Sequence, residues 1–190
     1  MKRPLFHFMG GLIFPVFYYF TGRDVAIYFI AALLSLVLVF ELVRGRNPVF
    51  NDWLWQHFRA FFKDKERYSM TGTPYFVGGA LITVLFFDKP IAITALCFLT
   101  FGDVTAALVG KKHGKRKIFP PKSLEGSLAF FVMVIMVGFL LKKFCFPADL
   151  TARAIGYSAL AATLVEMLPI SLDDNLTVPI ITGFILQMLL

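Results

Sequence analysis

Long runs of apolar residues alternate with short polar segments along the whole chain. Seven apolar spans can be marked, at about residues 5–20, 25–43, 73–87, 90–109, 127–141, 154–168 and 176–190. A helix needs roughly 20 apolar residues to cross a bilayer, so the shorter spans either extend into their polar flanks or lie inside the protein, and six or seven crossings fit. The pattern predicts an all-α, polytopic membrane helix bundle of about seven transmembrane helices.

One polar segment has an amphipathic pattern of its own. Between the second and third spans, apolar residues at positions 50, 53, 54, 58, 61 and 62 fall on one helical stripe. Asn51 or Asp52 could cap this helix, and its tryptophans and cations are typical of helices that lie at a membrane surface. We therefore expect an interfacial amphipathic helix near residues 50–65, either as a connector or as a helix that gates substrate.

The composition agrees with a membrane protein. The 190 residues are 58% hydrophobic and 16% charged, whereas soluble domains are roughly 45–50% apolar and about 25% charged. No room is left for a separate soluble domain, so residues 1–190 are expected to form a single transmembrane domain. Cys97 lies within a span and Cys145 near a span end, which argues against a disulfide framework.

The positive charges indicate an orientation. Residues 1–4, 44–72, 111–126 and 169–175 would share one side of the membrane, and the second and third of these loops hold 12 of the 19 Lys and Arg residues. By the positive-inside rule this side is cytoplasmic, with the N-terminus on it. The first span follows Lys2-Arg3 like a signal peptide but lacks a small-x-small cleavage site, so we expect a retained helix. The net charge of +7 lies in loops, which favours topology and anionic ligands over nucleic-acid binding.

Asp103 lies within the fourth apolar span, directly after Gly102. A carboxylate at membrane depth costs several kcal/mol and is expected to mark a functional site, with pairing to a loop cation as the alternative. Gly102, Ala106 and Gly110 recur at every fourth position, a small-residue face that allows close helix packing. Such a face explains the glycines and does not explain Asp103.

A basic loop follows this span and leads into the next. Its cations are Lys111, Lys112, Lys115, Arg116, Lys117 and Lys122. Ser123, Gly126 and Ser127 then stand where the next helix begins, and free backbone N–H groups at a helix start bind phosphate. Glu125 in the first turn could cap the helix, ligate Mg²⁺ or orient a nucleophile. Together with Asp103, the loop indicates a Mg²⁺–nucleotide site at a membrane surface.

Adjacent carboxylates occur in the last polar loop. Asp173 and Asp174 precede Asn175, and neighbouring acids repel each other unless a cation lies between them. Oxygen ligands of this kind suit Mg²⁺. Asp174 or Asn175 could instead cap the last helix, but the whole set favours a metal or ribose contact.

Three further ionisable groups lie near the same predicted membrane face. Glu41 and Arg44 are three residues apart at the end of the second span and could simply pair. His7 lies within the first span, where packing and one hydrogen bond usually satisfy a histidine, with a catalytic role as the alternative.

These residues together resemble the polytopic lipid kinases, which include dolichol kinases, phytol kinases and the CTP-dependent diacylglycerol kinases of fungi. The resemblance rests on Gly102-Asp103, Ala106-Ala107, Gly110, Gly114, the run 122–127, Glu166 and the run 173–179, with His7 after Lys2-Arg3 and Glu41 with Arg44. The block formed by Asp103 and residues 122–126 is also similar to phosphatidate cytidylyltransferases, which implies a shared CTP site.

The resemblance implies a CTP-dependent kinase. Such an enzyme transfers the γ-phosphate to the hydroxyl of a membrane lipid alcohol, namely a polyprenol, a phytol-like isoprenoid alcohol or diacylglycerol, with Mg²⁺ at the cytoplasmic face. One alternative is cytidylyltransferase-like synthesis of a CDP-lipid. A second is a non-enzymatic transporter or scaffold, against which the acid-poor opposite face argues. The oligomeric state and the particular alcohol stay open.

Roles follow for the candidate residues. We expect Asp103 and Asp173 or Asp174 to ligate Mg²⁺, with Glu125 as a further candidate. Phosphates would be held by Lys122 and by one or two of Lys111, Lys115 and Arg116, with Ser123, Gly126 and Ser127 adding contacts and Asn175 touching nucleotide or metal. The general base would be Glu125 or Glu166. His7, Glu41 and Arg44 are substrate-side candidates.

Overall fold

The computed structural model describes residues 2–59, 62, 64–120, 122–169 and 172–190, and these form eight α-helices and a short 3₁₀ turn. The helices are α1 (Lys2–Phe20), α2 (Arg23–Arg46), α3 (Pro48–Phe58), α4 (Gly72–Phe86), α5 (Lys89–His113), α6 (Leu124–Phe144), α7 (Ala152–Met167) and α8 (Asp174–Leu189), with the 3₁₀ turn at Asp64–Arg67. The all-α prediction is confirmed. Each predicted span corresponds to one helix, because a long apolar run can satisfy its backbone in a bilayer only as a helix or a closed barrel.

The predicted helix near 50–65 begins earlier and ends sooner. The Asn47 side chain accepts a hydrogen bond from the Phe50 amide at 3.0 Å, and Pro48 occupies the first helical position. Asn47 is therefore the cap, and the expectation of a cap at Asn51 or Asp52 was wrong. Positions 60, 61 and 63 of the predicted span lie outside the described residues.

Helix α5 lies at the centre of the bundle. It buries residues 91–100 as a continuous run, then Gly102 and Ala106, and contacts α1, α4, α6, α7 and α8. A Cβ atom on Gly102 would lie 2.4 Å from the ring of Phe130, and one on Gly126 would lie 3.0 Å from the carbonyl of Ala106. The small-residue face thus allows α6 to approach α5 closely, as predicted.

Among the described residues, three helices are long and apolar enough to cross a membrane, namely α2, α5 and α6, and shorter apolar helices occupy 7–20, 72–86 and 174–189. Large apolar side chains cover much of the outer surface, including Phe20, Leu36, Leu128 and Phe184. Exposed apolar surface of this extent marks contact with lipid. The molecule is consistent with a membrane helix bundle, while the count of seven crossings stays a prediction.

Contacts gather the polar segments at one end of the bundle. Arg44 at the end of α2 donates to the Ser69 carbonyl at 2.6 Å, and Lys122 before α6 lies 2.8 Å from Asp174 at the start of α8. In the second half of α5, Asp103 lies 3.4 Å from His7 of α1. We call this region the polar end. Of the loops predicted to share one side, the end of 44–72 and Lys122 of 111–126 both lie beside residues 173–175.

Candidate active site

Asp103 and His7 face each other between α5 and α1. The distance from His7 Nε2 to Asp103 Oδ2 is 3.4 Å, yet this buried nitrogen makes no hydrogen bond to a described residue. The ring of Phe76 lies 4.8 Å from the imidazole and fixes its position. The Asp103 side chain is 42% exposed. A ligand can therefore reach Asp103 Oδ2 beside a histidine nitrogen that still has hydrogen-bonding capacity.

Lys122 lies among oxygen atoms of two other helices. Its Nζ donates to Asp174 Oδ2 at 2.8 Å and to the Glu166 backbone carbonyl. The two charged side chains are partly buried, with 21% and 31% of their surfaces exposed. This pair joins the start of α6 to the end of α7 and the start of α8.

Glu166 is buried at the end of α7, and its Oε2 accepts a hydrogen bond from the Ser127 hydroxyl at 3.1 Å. Both Glu166 and Asp174 lie within electrostatic range of Asp103. We define the central cluster as His7, Asp103, Lys122, Ser127, Glu166 and Asp174. It combines three carboxylates, one ammonium, one imidazole and one hydroxyl at the polar end.

The basic loop is held against the start of α6 by its own short contacts. Gly114 lies so close to neighbouring atoms that a Cβ there would stand 2.2 Å from the Gly110 carbonyl and 2.6 Å from Ser123 Oγ. Ser123 Oγ accepts from the Gly126 amide at 3.2 Å and thereby caps the helix. Lys111, Lys115 and Arg116 are exposed on this loop, so they can meet an anionic ligand.

Glu125 lies away from the central cluster. Its carboxylate accepts from the Arg116 backbone N–H at 3.1 Å, which ties the loop to α6. Ser127 contacts Glu166 from a position two residues later, about 200° around the helix. Glu125 instead borders an open apolar groove of about 370 Å³ whose other lining residues are Thr105, Leu128, Ala129, Val132, Met133 and Met136. The geometry therefore favours a loop-holding role for Glu125 over the metal and base roles expected from the sequence.

The two adjacent aspartates have different surroundings. Asp173 Oδ1 accepts from the Asn175 amide at 3.0 Å and caps α8, whereas Asp174 contacts Lys122. The capping alternative is thus realised, but by Asp173 rather than by Asp174 or Asn175. A Cβ on Gly72 would lie 3.4 Å from Asn175 Nδ2 and 3.9 Å from Asp173 Oδ2. The start of α4 therefore borders the α8 cap.

Glu66 also borders this corner and was not among the predicted site residues. Its Oε1 accepts from the Gly72 amide at 3.1 Å, and the side chain is buried. The clue in the sequence was an acid within a run of cations, at 63–67. Only the fold places it beside residues 173–175, more than 100 positions later.

Arg44 and Glu41 form a buried ion pair with Nη2 to Oε2 at 2.7 Å, which confirms the pairing interpretation. Arg44 further donates to Asn51 Oδ1 at 3.1 Å and to the backbone carbonyls of Glu66, Arg67 and Ser69. Glu41 Oε1 accepts from the Thr71 hydroxyl at 2.7 Å. Because these contacts come from the protein itself, the pair positions the segment before α4. Arg44 Nε is buried without a hydrogen-bond partner among the described residues, and the substrate-side role of Glu41 and Arg44 stays a prediction.

The donor set fits a magnesium ion that shares its coordination with phosphates. No group of three His, Cys, Asp or Glu side chains converges on one metal position in the part of the chain that the structure describes. Mg²⁺ commonly takes one or two carboxylates and completes its shell with waters and substrate phosphates. Asp103 and Asp174 can supply those carboxylates.

Comparisons with known proteins agree with the resemblance seen in the sequence. Phytol kinase 1 of Arabidopsis thaliana chloroplasts is 30% identical over 96% of this chain, which spans 64% of that protein. The CTP-dependent diacylglycerol kinase 1 of Saccharomyces cerevisiae is 22% identical over 98% of this chain and 72% of its own length. An uncharacterized protein of Rickettsia prowazekii is 28% identical over 94% of this chain.

The chain spans less than two thirds of the length of the plant phytol kinases that it matches, 64% and 62% for the Arabidopsis and rice proteins. No family model matches the chain, and no solved structure does. The kinase relatives nevertheless cover nearly the whole chain.

Proposed function

We propose that this chain, a relative of the CTP-dependent lipid kinases, itself transfers the γ-phosphate of CTP to the hydroxyl of a membrane lipid alcohol. The acceptor would be a polyprenol, a phytol-like isoprenoid alcohol or diacylglycerol. The reaction would take place at the cytoplasmic membrane face, where the positive-inside rule puts the polar end. One observation carries the proposal: Lys122 and Asp174, from two separate polar segments, pair at 2.8 Å within electrostatic range of Asp103, a carboxylate of the apolar helix α5.

Phosphoryl transfer asks mainly for positioning and charge stabilisation. Bound Mg²⁺ would neutralise charge on the β- and γ-phosphates, held by Asp103 and Asp174. Lys122 would hold phosphate oxygens, and the exposed loop cations Lys111, Lys115 and Arg116 would raise the local concentration of the polyanionic nucleotide. Asn175, beside the cap of α8, would touch the nucleotide.

The acceptor hydroxyl needs a group that takes its proton. Glu166 is the better of the two predicted bases, since it lies in the central cluster while Glu125 holds the loop. As the alcohol oxygen forms its bond to the γ-phosphorus, its proton passes to Glu166, and the bond to the bridging oxygen breaks to release CDP. His7 would orient the hydroxyl through its Nε2 atom, which has no hydrogen-bond partner among the described residues.

The lipid would approach from the side. Its hydroxyl would reach the half-exposed Asp103, and its tail would lie along the apolar outer surface of the helices. The groove beside Glu125 is a less direct route, because Thr105 lies about 200° around α5 from Asp103.

A label-transfer assay tests the proposal. Purified protein in nanodiscs is incubated with Mg²⁺, a mixed pool of lipid alcohols and CTP labelled at the γ- or the α-phosphate. We expect γ-label in a lipid and release of CDP. Transfer of the α-label into phosphatidic acid, with loss of pyrophosphate, would show a cytidylyltransferase instead. No transfer of either label would contradict both enzymatic functions and favour a transporter or scaffold.

A further inference from the structure

The ammonium group of Lys122 sits in a position built from oxygen atoms. Its Nζ contacts Asp174 Oδ2 at 2.8 Å and the Glu166 carbonyl, and both Asp174 and Glu166 lie within electrostatic range of Asp103. Carboxylate and carbonyl oxygens around a positive charge are also what a hard divalent cation requires. The lysine therefore fills the kind of position in which a metal ion would bind.

This arrangement conflicts with the role that the proposed function gives to Lys122. Two of the three N–H donors of this ammonium are directed to Asp174 and to the Glu166 carbonyl, so at most one is left for the phosphates of CTP. When Lys122 leaves, the partly buried Asp174 loses its counter-charge next to two other carboxylates. Uncompensated carboxylates in such surroundings repel each other and attract a cation.

We propose that Lys122 and the divalent cation exchange at Asp174. Without nucleotide, the ammonium occupies the cation position and keeps the affinity for free metal low. When CTP binds, its phosphates take the ammonium, and Asp174 becomes available to the metal that accompanies the nucleotide. This deepens the proposed function, because it concerns the order of events at that same site.

Metal binding without nucleotide tests the exchange. Mn²⁺ binding is measured by electron paramagnetic resonance on protein in nanodiscs of zwitterionic lipid. Lys122→Met should bind Mn²⁺ about tenfold more tightly than the unmodified protein, within the usual range of coupling between two ligands. Adding Asp174→Asn to this variant should abolish the gain. Affinity in Lys122→Met that is unchanged or lower would overturn the proposal and leave a purely structural ion pair.

Lys112→Met is the matched control, because it removes the same charge from an exposed position in the last turn of α5. Screening at physiological salt should keep its effect on Mn²⁺ affinity below about twofold. An equal gain in Lys112→Met would show a general field effect, and this too would contradict exchange at Asp174.

A second variant tests the exchange through nucleotide binding, and this test is available even if Lys122→Met does not fold. In Asp174→Asn the ammonium is no longer held by a carboxylate, so metal-free CTP in the presence of chelator should bind about tenfold more tightly than to the unmodified protein. Equal or weaker binding would contradict the exchange. Neither measurement needs turnover, so a failed exchange and a failed kinase assay are separate outcomes.

Discussion

At the scale of single residues, the most informative side chain is Asp103. Asp103 lies on α5, about three turns before this helix ends at His113. Its carboxylate is half-exposed and lies next to His7. A membrane helix tolerates such a group where it lines a polar site. Its neighbours are a buried imidazole nitrogen without a hydrogen bond to a described residue and two further carboxylates within electrostatic range, and they support the proposal that Asp103 binds a ligand.

Asp103→Asn should therefore abolish lipid phosphorylation while the protein is still produced and folded. The amide has the same shape as the carboxylate but carries no charge to hold a metal–phosphate group. Loss of one such electrostatic contact commonly lowers the rate by roughly 10²–10³-fold. Activity is measured by label transfer, and folding by thermal unfolding in detergent. Asp52→Asn, which removes an exposed carboxylate paired with Arg67, is the control and should keep full activity. Retained turnover in Asp103→Asn would refute the assignment.

At the scale of elements, two short segments place the site. The loop between α5 and α6 folds back through the close contact of Gly114 with Gly110 and Ser123, and Glu125 ties the Arg116 amide to α6. The segment before α4 is held by Arg44, which contacts three of its backbone carbonyls. Both segments lack long secondary structure, so side-chain contacts help to fix them, together with backbone hydrogen bonds in the loop such as Leu124 N–H to the Arg116 carbonyl at 2.9 Å.

Gly114→Ala should raise the KM for CTP by about tenfold or more, because small displacements of binding groups cost large factors. The added Cβ would lie 2.2 Å from a backbone oxygen, so the loop and its cations must shift. Gly156→Ala is the control: a Cβ there meets nothing within 4 Å. Replacing that helical glycine should leave KM unchanged and stabilise α7 by up to about 1 kcal/mol. An unchanged KM in Gly114→Ala would show that the loop does not hold the nucleotide.

Arg44→Ala should lower the free energy of unfolding by about 3–5 kcal/mol, because it leaves the buried Glu41 carboxylate without its counter-charge. It also removes donors from the carbonyls of Glu66 and Ser69. Arg46→Ala, at an exposed position in the same helix turn, should change stability by less than about 0.5 kcal/mol. Denaturation in detergent measures both variants. Similar small losses in the two would mean that Arg44 does not hold the segment.

At the scale of the whole molecule, the two ends of the bundle differ. At the end opposite the central cluster, Lys89 donates to the Thr21 carbonyl at 2.8 Å, and Arg23 and Lys142 likewise donate to backbone carbonyls. These cations donate to backbone carbonyls, and among the described residues they do not join a cluster of carboxylates. The asymmetry supports a site at one membrane face and counts against an ion path through the bundle.

Much of this architecture was predictable from the sequence, since apolar runs report directly which segments prefer lipid. Two helices extend beyond their predicted spans at the polar end. Helix α5 continues through Lys111 and Lys112, because cations stabilise a helix C-terminus. Helix α6 starts directly after its cap, Ser123. Asp103, Lys122 and Asp174 could be assigned to one face from topology alone.

Contacts between distant segments could not be predicted in the same way. Spacing does not decide which of two adjacent aspartates caps α8 and which meets Lys122, because both lie within reach of the helix start. It also does not reveal that Glu125 and Ser127 point to different flanks of the α5–α6 contact, or that Glu66 borders residues 173–175. Each of these depends on how helices rotate when they pack.

The central position of α5 has a consequence for how the chain is made. Translation delivers α1 to the bilayer before α5, which is its main partner, and His7 meets Asp103 only 96 residues later. Until then, the inserted α1 holds a polar imidazole without the carboxylate that later lies beside it. The ribosome must therefore complete α5 before α1 can settle in its final position.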